Sequence, residues 1–347
     1  MNMASLGEIY SYDRRSQAQM DALLLAEGIR RDKNLDYSCG VFDEDGTLIA
    51  TGSSFKNTLR CLAVSSEHRG EGLMNQVVSH LLERQMQQGN SHVFLYTKAK
   101  NARIFADLGF YEIARVEGEL VFLENRRDGF GRYLKALAKT RQEGKCAAIV
   151  MNANPFTLGH RHLVEQAAAE NDWVHLFLLS EEAGPIPFAV RKRLVREGVA
   201  DLQNVILHDS GPYIISSATF PSYFLRDEDA AILAHARLDL AVFGKIAAAL
   251  GIESRYVGEE KSSHVTALYN ETMAKELPAL GLSFREIPRL ALEGETVSAS
   301  TVRQAVQDGK LSSVACMLPE STLRYFESAE AAPVIAAIRA MEEARHY

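Results

Sequence analysis

The sequence predicts an α/β chain of two domains, an α+β domain over residues 1–128 followed by a doubly wound parallel-sheet domain over residues 129–347 that ends in helices. Three observations predict it. The length of 347 residues exceeds what one ordinary core organises. Hydrophobic residues at 47% and charged residues at 24% describe a globular chain with apolar surface for two cores. The pattern of strands and helices also changes character after Glu124-Asn125-Arg126-Arg127-Asp128-Gly129, a segment dense in charge and turn formers.

In the first half, Asp43-Glu44-Asp45-Gly46 is a turn signal joining strands at 37–42 and 47–53 into an antiparallel hairpin. Residues 59–64 form another strand, which runs through Arg69-Gly70-Glu71-Gly72 into an amphipathic helix over 73–88. A strand over 93–97, a short helix over 102–108 stopped by Gly109, and a strand over 116–123 complete the set. Residues 133–142 read as a connecting helix. From Cys146 onward strands and helices alternate, the signature of a parallel sheet. Residues 146–151 and 173–180 are continuous apolar runs, as strands covered on both faces require. Residues 205–209 and 255–258 extend the sheet, and the Ala-, Glu- and Arg-rich tail from 318 to 347 is expected to be helical.

The net charge of −7 argues against a broad nucleic-acid footprint, which needs a basic excess. None of Cys39, Cys61, Cys146 and Cys316 lies within four residues of another, so no pair suggests zinc or a redox dithiol. Scattered single cysteines fit a reducing compartment, and a cytoplasmic location is expected. Residues 1–12 lack the charged-then-apolar pattern of a signal peptide, and no apolar run approaches ~20 residues, so no membrane span is expected.

The strongest chemical signal is Asn152-Ala153-Asn154-Pro155-Phe156-Thr157-Leu158-Gly159-His160, between a strand and a helix over 160–170. A helix N-terminus presents unpaired amides and a positive dipole end, which suits phosphate. Gly159 lets the backbone approach closely, and Thr157 and His160 supply donors one helical step apart. This segment resembles the T/H-x-G-H signature of the nucleotidyltransferase superfamily, whose Rossmann-like domain binds a nucleotide and directs attack on its α-phosphate. Val297-Ser298-Ala299-Ser300-Thr301-Val302-Arg303 resembles the superfamily's second motif, I-S-S-T-x-x-R. The resemblance implies catalytic roles for Thr157, His160 and Arg303, with Arg303 clamping the β- and γ-phosphates. It places Asn152, Ala153, Asn154, Pro155, Phe156, Gly159, Val297, Ser298 and Ser300 around the nucleotide. Ala299 departs from the pattern and removes one hydroxyl. Gly258 and Glu259, at the end of a strand, are expected at the carboxyl edge where open sheets bind ligands. Arg191, early in a helix over 188–200, matches a position that holds phosphates in related enzymes.

In the first half, Arg69-Gly70-Glu71-Gly72-Leu73-Met74 resembles the acyl-CoA pyrophosphate loop of GNAT acetyltransferases, and residues 101–110 resemble the later N-x-x-A…G-F segment of that fold. The resemblance implies that Arg69, Gly70, Gly72 and Asn101 bind a CoA-like group. Met74 stands where Gly or Ala is usual, and Phe105 where many of those enzymes have a tyrosine that protonates a departing thiolate.

A GNAT-like domain before a T-x-G-H nucleotidyltransferase domain is a rare pairing. Together with Phe220-Pro221-Ser222-Tyr223-Phe224-Leu225, Arg255–Glu260 and Tyr269-Asn270, it makes the chain similar to the [citrate (pro-3S)-lyase] ligase family over nearly its full length. That resemblance implies an ATP-dependent acid–thiol ligase. It would adenylate acetate and deliver the acetyl group to the dephospho-CoA-type prosthetic group of the citrate lyase acyl carrier subunit, releasing AMP and pyrophosphate. ATP is then a substrate, and Mg²⁺ travels with its phosphates, since no carboxylate cluster marks a metal cage. The alternative is a cofactor-biosynthesis adenylyltransferase acting on a phosphate, for which the two motifs would look the same. The extra first domain and the 220–225 segment disfavour it.

Overall fold

The computed structural model describes residues 4–182, 184–214, 228–260, 263–292 and 294–341. The chain divides into two compact units, Met1–Arg132 with Thr219–Ala241, and Tyr133–Ala218 with Val242–Tyr347.

The first unit contains β1 (Ser5–Glu8), α1 (Arg14–Ala26), β2 (Tyr37–Phe42), β3 (Leu48–Phe55), β4 (Thr58–Val64), α2 (Leu73–Gln87), β5 (Phe94–Lys98), α3 (Ala102–Asp107), β6 (Tyr111–Val116) and β7 (Leu120–Glu124). Its seven strands run in the order β1-β2-β3-β4-β5-β7-β6. The expected hairpin of β2 and β3 is present, with Val41 opposite Ala50. All neighbours are antiparallel except β4 and β5, which pair in parallel at Thr58–Phe94 and Leu59–Leu95 alone, so the two strands part beyond Leu59. Cys61, in β4, has a φ of 52°, and the ladder with β3 slips between the pairs Thr51–Ala63 and Ser53–Arg60. This is a bulge, which bends the strand where it leaves its partner. Val77, Val78 and Leu81 of α2 pack with Cys39, Val41 and Leu95 of the sheet. The strand expected over 116–123 is present from Leu120 onward as β7, and its first residues are the end of β6 and a turn, because Gly118 adopts a φ of 72° and reverses the chain there. The sequence reading also passed over β1 and α1.

A helix α4 (Gly129–Ala138) follows the charged segment directly, starting four residues before the helix expected at 133. The second unit then contains β8 (Cys146–Met151), α5 (Leu158–Glu170), β9 (Trp173–Leu178), α6 (Phe188–Gly198), β10 (Val205–Asp209), α7 (Glu228–Leu250), β11 (Ile252–Gly258), α8 (His264–Glu276), β12 (Ser283–Ile287), the small hairpin of β13 (Ala291–Leu292) and β14 (Glu295–Thr296), α9 (Ala299–Gln307), α10 (Glu320–Glu327) and α11 (Ala332–Arg339). The helix α7 begins in the first unit and ends in the second.

The five-stranded sheet has the order β10-β9-β8-β11-β12, with every pair parallel. The chain starts at the centre, builds outward through β9 and β10, then returns to the other side of β8. Strand order therefore reverses between β8 and β11, and the carboxyl ends of those two strands flank the crevice where open α/β sheets bind ligands. Ile149, Leu176, Val164 and Val302 are fully buried on one face of the sheet. On β9 and β10, His175 and His208 are buried side by side, with Nδ1 of the first 2.9 Å from Nε2 of the second. The tail is helical in pieces, α10 and α11 linked by a 3₁₀ turn, and residues 342–347 lie outside the described residues. The 220–225 segment also lies outside them. Among the described residues no helix is long and apolar enough to cross a membrane.

Candidate functional site

The loop after β8 is shaped by its own side chains. Ala153 has a φ of 51°, a left-handed conformation uncommon for a residue with a Cβ. Ala153 and Phe156 turn into the core, at 1% and 0% exposure, and Pro155 is buried and follows a cis peptide bond. These three residues set the path of the loop. Asn152 is tied from behind, since both its backbone oxygen and its Oδ1 accept from Nη1 of Arg191.

The loop enters α5 through a reciprocal cap. The Thr157 hydroxyl accepts from the backbone N–H of His160 at 3.4 Å, and Nδ1 of His160 accepts from the backbone N–H of Thr157 at 3.1 Å. Glu or Gln usually closes this box; here an imidazole does. A backbone N–H can only donate, so Nδ1 is an acceptor and the neutral ring carries its proton on Nε2. Burial, followed by the charges of Arg289 and Arg303, pushes His160 down to about 4. At neutral pH it is therefore an uncharged donor through Nε2.

The second motif meets the first. Ser298 caps α9 by accepting from the Thr301 N–H at 3.1 Å, with Ser300 Oγ at 3.0 Å and Thr301 Oγ1 at 2.8 Å from its hydroxyl. A Cβ at Gly159 would stand 3.1 Å from the carbonyl oxygen of Val297, so the close approach of α5 to this segment favours glycine. Arg303, at 3% exposure, donates from Nη1 to the carbonyl of Asn154 at 2.6 Å. Two segments about 150 residues apart in sequence, joined by this bond, form one edge of the crevice.

Arg191 does not stand in the open crevice. It is fully buried, and its guanidinium donates to the carbonyls of Ile186, Asn152, Leu179 and Glu181. The expectation that it reaches phosphates gives way to bracing, because its donors are directed to backbone oxygens. At the end of β11, Gly258 accepts from Nδ2 of Asn270, and the Glu259 N–H donates to the carbonyl of Ile287. Arg289 donates from Nε to the Glu259 carbonyl at 2.8 Å and pairs with Glu260. The sequence reading missed Arg289, which stands two residues past β12. Its signal lay in the strand itself, since a strand beside β11 ends at the same edge.

In the first unit, Gly70 and Gly72 have φ values of 90° and 77°, and Gly72 precedes the first residue of the 15-residue α2. Arg69 is exposed and pairs with Glu27, and Asn101 precedes α3 with its side chain making no cap hydrogen bond. Phe105 is a core residue, packed edge-on against Phe110 with ring centroids 6.5 Å apart.

Comparison with known proteins adds to this geometry. Residues 146–326 match the family described as citrate lyase ligase C-terminal domain, and residues 4–111 match the acetyltransferase (GNAT) family. The chain is 36% identical over 331 residues to the [citrate [pro-3S]-lyase] ligase of Escherichia coli strain K12, covering 92% of this chain and 94% of that protein. It is 40% identical over 284 residues to the protein of the same name from Klebsiella pneumoniae, covering 80% and 83%. For the Haemophilus influenzae protein of that name the identity is 34% over 327 residues, covering 92% and 98%.

Proposed function

Because the chain belongs to the [citrate [pro-3S]-lyase] ligase family, we propose that it joins acetate to the thiol of a dephospho-CoA-type prosthetic group on the citrate lyase acyl carrier subunit, using ATP. In the first step a carboxylate oxygen of acetate attacks the α-phosphorus of ATP. The bond from that phosphorus to the bridging oxygen breaks, giving acetyl-adenylate and pyrophosphate. In the second step the sulfur attacks the acyl carbon, the carbon–adenylate bond breaks, and AMP and the thiol proton are released.

Acetate is ionised at neutral pH, so adenylation needs no general base. It needs in-line positioning and donors where negative charge builds. The Thr157–His160 box carries the proposal, because it fixes a neutral imidazole with its proton on Nε2 at the start of α5. That proton serves the α-phosphate. Arg303 and Arg289 add positive charge near the same imidazole, and Ser298 and Ser300 add hydroxyls at the start of α9. Gly258 and Glu259 form the β11 side of the nucleotide site, and Arg191 holds its floor. Mg²⁺ would neutralise phosphate charge as it travels with ATP.

In the first unit, the amides around Gly70 and Gly72 take the pyrophosphate of the prosthetic group, with Arg69 and Asn101 beside it. Phe105 supports this use of the fold. The thiol arrives here as a nucleophile, so no acid is needed for a departing thiolate. Cys39, Cys61, Cys146 and Cys316 are free thiols, in keeping with action in the cytoplasm. Incubation of the protein with ATP, acetate and deacetylated citrate lyase tests the whole sequence. Acetylated carrier and one AMP per acetyl group are expected, and a carrier that stays unacetylated would refute it.

A further inference from the structure

Arg191, Arg303 and Arg289 all stand near the carboxyl end of the parallel sheet, yet their guanidiniums are placed differently. Arg191 is fully buried with its donors on backbone carbonyls, and Arg303 is buried with Nη1 on the Asn154 carbonyl. Arg289 has 27% of its side-chain surface exposed, and its backbone lies two residues past β12, the edge strand beside β11.

The Arg289 side chain reaches back across the sheet. Nε donates to the Glu259 carbonyl at 2.8 Å and Nη2 pairs with the Glu260 carboxylate, so one edge of the fork is held over the end of β11. Because β11 lies between β12 and β8, a side chain that crosses the end of β11 from β12 points toward β8 and into the crevice. The adjoining backbone leads to the same place. The carbonyl of Leu290 accepts the Val297 N–H at 2.9 Å, and the Val297 carbonyl is the group that a Cβ at Gly159 would meet at 3.1 Å. Arg289 is thus tied to the starts of both α9 and α5. Behind burial, its charge is the larger of the two that hold the His160 imidazole neutral.

A guanidinium carries five N–H donors, one on Nε and two on each terminal nitrogen. The contacts to Glu259 and Glu260 use the one on Nε and one on Nη2. Among the described residues, both donors on Nη1 and the second on Nη2 carry no hydrogen bond. The result is an anchored fork with its outer edge open.

We propose that Arg289 grips the β- and γ-phosphates of ATP through Nη1 and the second Nη2 donor, the contact that the sequence reading gives to Arg303. This rests on the adenylating reading above. The anchors on Glu259 and Glu260 orient the fork before ATP arrives, so binding requires no movement of the chain. As the bond from the α-phosphorus to the bridging oxygen breaks, negative charge gathers on the departing pyrophosphate, and the guanidinium stabilises it there. Arg303 holds the loop that carries Asn154 and adds its charge from that position.

The test compares ligands that have and lack those two phosphates. Binding of ATP, pyrophosphate and AMP is measured by titration calorimetry on the full chain in wild type, Arg289→Gln and Arg289→Lys. Arg289→Gln is expected to weaken ATP and pyrophosphate about 10- to 100-fold, the loss of hydrogen bonds to a charged group. AMP affinity is expected to stay within about twofold of wild type, which also shows that the variant keeps its fold. Arg289→Lys keeps the charge without the fork and is expected to fall between the two. A loss of AMP affinity equal to that of ATP in both variants would make Arg289 a support of the pocket and overturn the assignment. ATP and pyrophosphate affinities near wild type in Arg289→Gln would overturn it as well. These titrations need no acid, so failure of this contact is distinct from failure of carboxylate activation, which acetate-dependent exchange reads in the wild type. A wild type that binds no ATP removes the nucleotide reading, and this contact with it.

Discussion

Nδ1 of His160 accepts the backbone N–H of Thr157 at 3.1 Å, so the residue that caps the helix also fixes the proton of the imidazole on Nε2. Cap and donor are one device. His160→Ala removes the donor where equatorial charge accumulates on phosphorus, so the adenylation rate is expected to fall about a hundredfold or more with little change in ATP affinity. Single-turnover adenylation and nucleotide binding on the same variant check this. A near-normal rate would remove His160 from the chemistry.

Arg303 lies buried with Nη1 on the Asn154 carbonyl, where planarity and reach both matter. Arg303→Lys keeps the charge and loses the forked geometry. It is expected to lower acetate-dependent exchange at least about tenfold. Wild-type turnover together with a wild-type KM for ATP would show that the guanidinium does nothing there.

Arg191 separates bracing from phosphate binding. Four backbone carbonyls depend on its guanidinium, and hydrogen bonds from a charged donor contribute about 1.5–3 kcal/mol each. Arg191→Met is expected to destabilise the protein by about 3 kcal/mol or more in denaturant unfolding. A variant of unchanged stability with a raised KM for ATP would return Arg191 to the phosphates.

The motif positions were legible in the sequence because a helix start, a glycine and a donor form a local pattern. The parallel sheet was legible from its unbroken apolar runs. What each arginine faces was not legible. Arg191 and Arg303 look alike as basic residues in helices, and only the fold turns both guanidiniums toward backbone carbonyls. Arg289 escaped notice for the same reason, since its place depends on β12 lying beside β11. In the first unit, Gly118 falls inside the strand expected over 116–123, because one glycine just ahead of the apolar run 120–123 gives little sign of a turn until its φ of 72° is seen.

Gly72 has a φ of 77° with open space where a Cβ would be, so Gly72→Val acts through the backbone and not through crowding. The substitution distorts the turn that aims the α2 amides. Acetate-dependent exchange is expected to survive while acetyl transfer to the carrier thiol is lost. Undiminished transfer would show that this loop does not hold the prosthetic group.

Burial holds His175 and His208 each down to about 4, against an ordinary value of 6.5. Below pH 6.5 the unfolded chain binds protons that the folded chain refuses until about pH 4. Their contribution to stability is therefore full above pH 6.5 and falls as the pH drops toward 4. Thermal unfolding from pH 7.5 to 5 is expected to show a falling Tm, with a shallower slope in His175→Leu/His208→Leu. An identical slope in that double variant would contradict the burial argument.

On the proposed function the second unit activates a carboxylate and not a phosphate. Exchange of labelled pyrophosphate into ATP, with acetate as the sole acceptor and no carrier protein present, tests it most directly. Label is expected in ATP only when acetate is added, and none when phosphopantetheine or a mononucleotide replaces it. Exchange that ignores acetate and follows one of those phosphates would contradict carboxylate activation.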